Sequence, residues 1–188
     1  TWHPYRPFWR RPWATFDDSE NAILAELAAA HSTVAMRGNA SGEAFVMAYR
    51  SSGQYTHAVT AAMSMLGWPH GPIERTVEFL NLPTDEKRAW RLHSHGQYPG
   101  WANTFIKGIP DPAFEGVERA LSAAGAPVLH VVREAHAIIN TRLAKPVPIY
   151  PNPSCWTAAV AIHVGMHAGI APYLFVAARL AAWSEELT

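Results

Sequence analysis

The chain has 188 residues, enough for one ordinary domain or for a main domain with a small lobe. Lys plus Arg and Asp plus Glu both total 15, so the formal net charge is zero and a nucleic-acid partner is disfavoured. Cys155 is the single cysteine, which excludes an intramolecular disulfide and suits a reducing cytoplasm. No run of about 18 apolar residues occurs, so we expect a cytoplasmic protein with no membrane partner.

The predicted elements are helices. Thr1 to Trp13 precedes them and mixes arginines, aromatic residues and prolines, which predicts an extended arm packed on the body or on a second subunit. Contact of this arm with phosphate or with a membrane surface is the alternative. Apolar residues at helical spacing, with capping residues before them and glycine or proline after them, then mark successive helices. The predicted ranges in this half are 19–31, 43–50, 55–66, 73–80 and 84–92.

The stretch from His93 to Pro112 has three glycines, three prolines and no helical period. Long irregular segments of this kind usually have a functional reason, so we interpret it as an active-site loop. The remaining predictions are helices over 112–123, 127–143, 155–167 and 172–186, with an extended segment over 147–153. No segment shows strand alternation, so the predicted fold class is all-α.

Two motifs in the first two thirds of the chain resemble those of citrate synthase. Residues 67–75 read GWPHGPIER and resemble the pattern G-P-L-H-G-G-A-N, with His70 at its histidine. Residues 98–113 read YPGWANTFIKGIPDPA and resemble P-G-F-G-H-x-V-Y-K-x-x-D-P-R, with Asn103 at the second histidine and Ala113 at the arginine. The matching positions of this second motif are Pro99, Gly100, Lys107, Asp111 and Pro112.

Two further motifs follow in the order found in that family. Residues 149–156 read IYPNPSCW and resemble P-N-V-D-F-Y, which puts Ser154 at the aspartate. Residues 169–187 resemble the ending G-I-P-P-D-L-F-x-x-x-x-R-x-x-G-W, with Arg179 at the arginine. His31 follows an alanine-rich helix, where the family has the histidine of its A-D-H motif.

The resemblance covers roughly residues 22–188 and identifies the chain as a short member of the citrate synthase and citryl-CoA lyase superfamily. It implies an all-α, citrate synthase-like fold with the active site in a cleft between two lobes. The larger lobe is predicted to comprise residues 1–72 and 152–188, and the smaller lobe residues 73–151. It also implies a homodimer, which an Ala-rich and Trp-rich helical chain of this size favours independently, because a monomer would expose apolar faces.

The family chemistry assigns roles to these positions. An enolate formed beside a thioester carbonyl needs a donor for its oxyanion, and His70 fits that role. Ser154 stands where the family has its carboxylate base and lacks useful basicity, and Asn103 can donate a hydrogen bond but cannot transfer a proton. Ordinary citrate synthesis is therefore not expected. A decarboxylative reaction and a specialised condensation or cyclisation both remain open, as does a catalytically silent relative that binds ligand or an active subunit.

The resemblance also implies binding residues. His31 and Arg179 are predicted to contact a carboxylated substrate, and Lys107 and Gly100 to contact coenzyme A, present as the acyl thioester. Arg179 lies in an otherwise apolar helix, where a charge is costly unless it is paired. No metal is expected, because the pairs His163 with His167 and His93 with His95 lack a third ligand at fixed spacing.

Overall fold

The computed structural model describes residues 16–35, 58–66, 77–78, 80–83, 85–86, 98–102, 106–166, 170–174, 176–177 and 179. In these ranges the regular structure is helical and no β-strand forms, which confirms the all-α prediction. Within the same ranges, no helix is both long and apolar enough to cross a lipid bilayer. The predicted arm at 1–13, the helix at 43–50 and much of the helices at 84–92 and 172–186 lie outside the described residues.

The first helix, α1, spans Asp18–Ala35. Its start is fixed by a reciprocal pair of hydrogen bonds: the Glu20 amide donates to Asp17 Oδ1 at 2.8 Å, and the Asp17 amide donates to Glu20 Oε2 at 3.0 Å. This capping box satisfies two amide groups that a helix start otherwise leaves unpaired. The helix continues past His31, where we predicted its end, because Ala35 keeps the apolar period and is buried.

A second helix, α2, includes residues 58–66, within the predicted range 55–66. It is buried on nearly all sides, and Val59, Ala62 and Leu66 have almost no exposed surface. Small alanine side chains let neighbouring segments approach this helix closely. Helical residues also occur at 77–78, 80–81 and 85–86, and all of them except residue 81 lie within the two helices predicted for that region.

The middle of the chain follows the prediction closely. A 3₁₀ turn at Pro112–Phe114 leads into α3 at Glu115–Ala123, and α4 spans Pro127–Leu143. Asp111 caps the turn, because its Oδ1 accepts a hydrogen bond from the Ala113 amide at 3.0 Å. Proline begins both segments because its fixed φ suits the first helical turn, where its missing N–H costs nothing.

The helix α5 spans Pro153–His163, and the predicted range of 155–167 was wrong at both ends. It begins earlier because the Asn152 side chain caps it, and it ends earlier because Gly165, at φ 73°, takes the left-handed conformation that closes a helix. The final described helix, α6, has helical residues at 171–174, 176–177 and 179.

One hydrophobic core joins these helices. α1 packs against α3, the 3₁₀ turn and α5, and α4 packs against α5. Ile23 and Leu27 from the predicted large lobe share this core with Phe114 and Val117 from the predicted small lobe. Each such fully buried side chain contributes roughly 1.5–3 kcal/mol relative to exposure. The division into two lobes stays a prediction.

The ends of α3 and α4 give the first testable prediction. Ala144 ends α4 at φ 42°, a left-handed conformation that its Cβ disfavours, whereas Gly125, beyond the end of α3, has φ 60° and open space around its Cα. We expect Ala144→Gly to raise the free energy of unfolding by about 0.5–1 kcal/mol and Gly125→Ala to lower it by a similar amount. Urea unfolding of both variants checks this, and a shift of the same sign in both would contradict it.

Candidate functional site

Three distant segments meet around the buried ring of His31. His31 Nε2 lies 2.8 Å from Thr157 Oγ1, which joins α1 to α5 across 126 positions of sequence. Arg179 Nε of α6 donates to His31 Nδ1 at 3.4 Å, across 148 positions. His31 has no exposed surface and Arg179 is almost fully buried. His31 and Arg179, which two different sequence motifs indicated, therefore lie in contact.

The hydrogen bonds fix the proton on His31. Because Arg179 Nε can only donate, His31 Nδ1 must accept, so the imidazole proton lies on Nε2 and is donated to Thr157 Oγ1. Thr157 Oγ1 in turn donates to the Pro153 carbonyl at 2.8 Å. Burial lowers the pKa of His31 well below its ordinary value of 6.5, and the nearby Arg179 guanidinium lowers it further. His31 is therefore a neutral donor and acceptor, oriented at both ring nitrogens.

The Phe114 ring packs its edge against His31. The two ring centroids are 5.5 Å apart at an interplanar angle of 85°, a favourable edge-to-face geometry. Phe114 is buried at the end of the 3₁₀ turn that Asp111 caps. The segment after the predicted active-site loop thus forms one wall of the His31 cluster.

Ser154 lies on the face of α5 that carries Thr157. Residues three apart on a helix have neighbouring side chains, so the Ser154 side chain is one turn from the hydroxyl that contacts His31. Ser154 is 7% exposed, and its amide donates to Asn152 Oδ1 at 2.9 Å. Among the described residues, none forms a hydrogen bond with its hydroxyl. Ser154 therefore belongs to the same region as His31 and Arg179.

Asn152 ties the start of α5 to the predicted active-site loop. Its Oδ1 accepts from the Ser154 amide and, at 3.2 Å, from the Cys155 amide. Its Nδ2 donates to the carbonyls of Ala102 at 3.1 Å and Trp101 at 3.4 Å. A main-chain bond from the Asn152 amide to Gly100 O at 2.8 Å completes the attachment. One buried amide side chain thus fixes two segments about 50 residues apart.

Gly100 and Cys155 pack against each other at this junction. Gly100 has φ 88°, and a Cβ there would lie 3.1 Å from the Cys155 Cβ and 3.2 Å from the Ala62 Cβ, so the left-handed backbone and the close packing both favour glycine. Cys155 has no exposed surface, and burial raises the pKa of its thiol well above the ordinary value. A buried neutral thiol is a packing residue and not an available nucleophile.

Lys107 lines a separate surface cavity of about 240 Å³. The walls come from the end of the irregular loop and from the segment between α4 and α5. The lining residues are Ala102, Ile106, Lys107, Gly108, Ile109, Asp111, Lys145, Val147, Pro148, Ile149, Tyr150 and Pro151. Gly100 is not among them, so the two positions predicted to contact coenzyme A lie in different surroundings.

His70 and Asn103 lie outside the described residues, so their predicted roles stay predictions. Sequence reasoning missed Thr157, because a threonine within an alanine-rich helix carries no signal of its own. It also missed the capping role of Asn152, although Asn-Pro before an apolar run is a recognisable helix start.

No set of three or more His, Cys, Asp or Glu side chains that are close enough to hold a metal ion occurs in the part of the chain that the structure describes. His163 is the last residue of α5, and His167 lies outside the described residues.

Comparison of the chain with family models, with curated proteins and with solved structures found no match.

Proposed function

We propose that the protein is a citrate synthase-like enzyme that acts on an acyl-CoA or carrier-bound thioester. It makes or breaks a C–C bond through an enolate whose oxyanion His70 stabilises. Ordinary citrate synthesis is not the reaction, because Ser154 replaces the carboxylate base. The protein acts in the cytoplasm as a homodimer in this proposal.

The contact between His31 and Arg179 carries the proposal. The resemblance selected each residue from a different motif and predicted that both face one carboxylated substrate. In the fold they are hydrogen-bonded, and Ser154 lies one helical turn from the Thr157 hydroxyl that holds His31. Because His31 uses both ring nitrogens within the protein, its role changes from substrate contact to positioning of the Arg179 guanidinium. Arg179 then supplies the fork of donors that suits a carboxylate.

The backbone of the irregular loop adds support. The family pattern P-G-F-G-H has its second glycine where this chain has Ala102. Ala102 has φ 69°, in the left-handed region that glycine adopts freely and alanine rarely adopts. The backbone thus has a glycine-like conformation at the position where the resemblance expects glycine.

A decarboxylative route fits the residues present. Loss of CO₂ from a β-carboxyl thioester breaks the bond between the α-carbon and the carboxyl carbon and leaves its electron pair as an enolate. The negative charge lies largely on the thioester oxygen, where His70 donates a hydrogen bond. No group has to remove an α-proton, so the absence of a carboxylate at Ser154 is no obstacle. The enolate then takes a proton from solvent or attacks an electrophilic carbonyl carbon.

A labelling assay tests the proposal. Purified protein is incubated in deuterated buffer with malonyl-CoA, methylmalonyl-CoA or acetyl-CoA, and CO₂ release and α-carbon deuterium are measured. We expect turnover with at least one thioester and a loss of about 100-fold or more in His70→Ala, because an oxyanion donor contributes on that order. His130→Ala, which removes an exposed histidine of α4, should retain the wild-type rate.

The same experiment addresses the alternative of a catalytically silent relative. Thermal stabilisation by a thioester without turnover would contradict the enzyme and favour a ligand-binding or partner subunit. If no thioester is turned over and none stabilises the protein, the result contradicts both the enzyme and the silent relative that binds a thioester.

A further inference from the structure

The surface cavity beside Lys107 carries two positive charges from separate segments. Lys107 comes from the irregular loop and Lys145 from the segment after α4, and both side chains are exposed. Within the described part of the chain, neither ammonium group forms an ion pair. Two ammonium groups on one cavity attract an anion, and each offers three donors to it.

Asp111 is the acidic residue among the described lining residues. Its carboxylate is buried and accepts a hydrogen bond from the Ala113 amide, so part of its charge is directed into the 3₁₀ turn. The two lysines therefore leave the cavity with a net positive charge, and the exposed ammonium groups are the charges that a ligand meets first.

The other side chains that line the cavity are apolar apart from the Tyr150 hydroxyl, and two of the apolar ones are exposed. Ile109 is 58% exposed and Val147 is 49% exposed, and both belong to the lining. The two walls lie close together, since a Cβ on Gly108 would approach Val147 Cγ1 to 2.9 Å. An apolar group seated here would cover surface that otherwise faces water, which is a favourable transfer.

The wall formed by residues 147–151 is held in place from α4. Asn140 accepts a hydrogen bond from the Ile149 amide at 2.8 Å and donates to the Ile149 carbonyl at 2.9 Å. The His136 ring lies against Tyr150, with centroids 4.9 Å apart. Because these contacts hold the wall in place in the free protein, little conformational entropy of the wall is lost when a ligand binds.

From these observations we infer that the cavity binds a small organic anion consisting of a carboxylate or phosphate group on a short apolar chain. The anionic group lies between Lys107 and Lys145, and the chain contacts Ile109, Val147 and Ile149. At about 240 Å³, the cavity is below the size of typical sites for drug-sized ligands and fits a short acid better than a whole nucleotide. This inference does not depend on the thioester reaction.

Titration with matched probes tests it. Hexanoate, hexyl phosphate, neutral hexanamide and inorganic phosphate are titrated into the intact chain by calorimetry, and amide shifts of residues 106–111 and 145–151 are followed by NMR. We expect hexanoate or hexyl phosphate to bind with a Kd of about 1 mM or tighter, and hexanamide at least about tenfold more weakly. The stronger of the two anions identifies the head group.

Variants separate the site from general charge effects. Lys107→Met and Lys145→Met keep an apolar stem and remove the charge, and each should weaken binding about fivefold or more. Val147→Trp should weaken binding similarly, because the larger side chain would fill part of the cavity. Arg142→Met is the matched control, because it removes an exposed charge of α4 outside the lining and should change Kd less than about twofold.

Several results would overturn the inference. These are no binding of either organic anion at 20-fold the expected Kd, equal binding of hexanamide, or equal loss of affinity in Arg142→Met and Lys145→Met. If inorganic phosphate binds as tightly as hexyl phosphate, the apolar chain contributes nothing to affinity and the inferred ligand class is wrong. A silent thioester assay with intact hexanoate binding would count against the proposed function alone.

Discussion

Replacing Asn152 with alanine is expected to lower the free energy of unfolding by about 2–3 kcal/mol. The substitution removes the N-cap of α5, which typically costs about 1 kcal/mol. It also leaves the Ala102 and Trp101 carbonyls without their Asn152 partner, at roughly 1 kcal/mol for each bond lost. Chemical denaturation measures the sum.

Two controls show which of these bonds matters. Asn152→Ser keeps an acceptor for the cap but cannot reach both loop carbonyls, so it should recover about 1 kcal/mol of the loss. Asn21→Ala removes an exposed asparagine whose Nδ2 donates to Phe16 O at 3.1 Å, and it should cost about 0.5 kcal/mol or less. If Asn152→Ala and Asn21→Ala proved equally mild, Asn152 would not hold the junction.

The stability lost in Asn152→Ala should be concentrated where the irregular loop meets the start of α5. Ala102 donates its amide proton to Tyr150 O at 3.0 Å, and the Asn152 amide donates to Gly100 O at 2.8 Å. Without the Asn152 side chain, both protons should exchange faster with solvent than those inside α4. Unchanged exchange at Ala102 with reduced global stability would place the effect in α5 alone.

The sequence predicts both limits of α4 correctly and both limits of α5 wrongly. α4 begins at Pro127 and ends at Leu143, as predicted, because Pro127 favours the first turn. The end of α5 was predicted wrongly because its sequence has glycines at two candidate positions, and Gly165 was passed over. The left-handed conformation of Ala102 could not be predicted from its own residue type, because contacts with a distant segment impose it.

The candidate site is predicted only in part for a similar reason. The motifs singled out His31 and Arg179, but they did not predict the hydrogen bond between the two side chains. The contact between Thr157 and His31 spans 126 positions, and nothing in the sequence near Thr157 indicates it. Lys145 was missed because it joins Lys107 only when the chain between α4 and α5 folds beside the irregular loop. Local patterns specify elements, whereas contacts across the fold specify sites.

The free energy of unfolding is expected to fall as the pH drops below about 6.5, and His31 is a main cause. Its folded pKa lies well below 6.5 because of burial, with Arg179 adding to the shift. Below pH 6.5 His31 is therefore protonated in the unfolded chain but still neutral in the folded chain. The free energy of unfolding then falls by up to about 1.4 kcal/mol per pH unit from this one group. Above the pKa of the unfolded chain, His31 is neutral in both states and none of this stability is lost.

The contact between His31 and Arg179 also predicts that protonation of His31 destabilises the fold. A second proton on His31 would lie on Nδ1 and point at the Arg179 Nε–H, which replaces a hydrogen bond with two facing donors and two like charges. His136 has a pKa that burial lowers and Glu118 partly raises, so it contributes a slope in the same direction. A variant at His31 is needed to separate the two.

His31→Gln supplies that separation, because its amide stays neutral across the whole range. Unfolding by urea is measured from pH 7.5 to pH 5.0 for the wild type, His31→Gln and the exposed-site control His130→Gln. The His31 variant should be less stable at pH 7.5 by about 1–3 kcal/mol and should show a flatter pH dependence, whereas the control keeps the wild-type slope. Equal slopes in all three proteins would mean that His31 does not carry the effect.

The tautomer offers a test that does not require the variant to fold. Ring-nitrogen NMR of the wild type near pH 6 should show His31 neutral, with the proton on Nε2 and Nδ1 unprotonated. A proton on Nδ1 would exclude donation from Arg179 and would detach Arg179 from the residue proposed to position it. The same measurement therefore decides whether α1 and α6 are joined through His31, and with it the structural basis for assigning Arg179 to a carboxylated substrate.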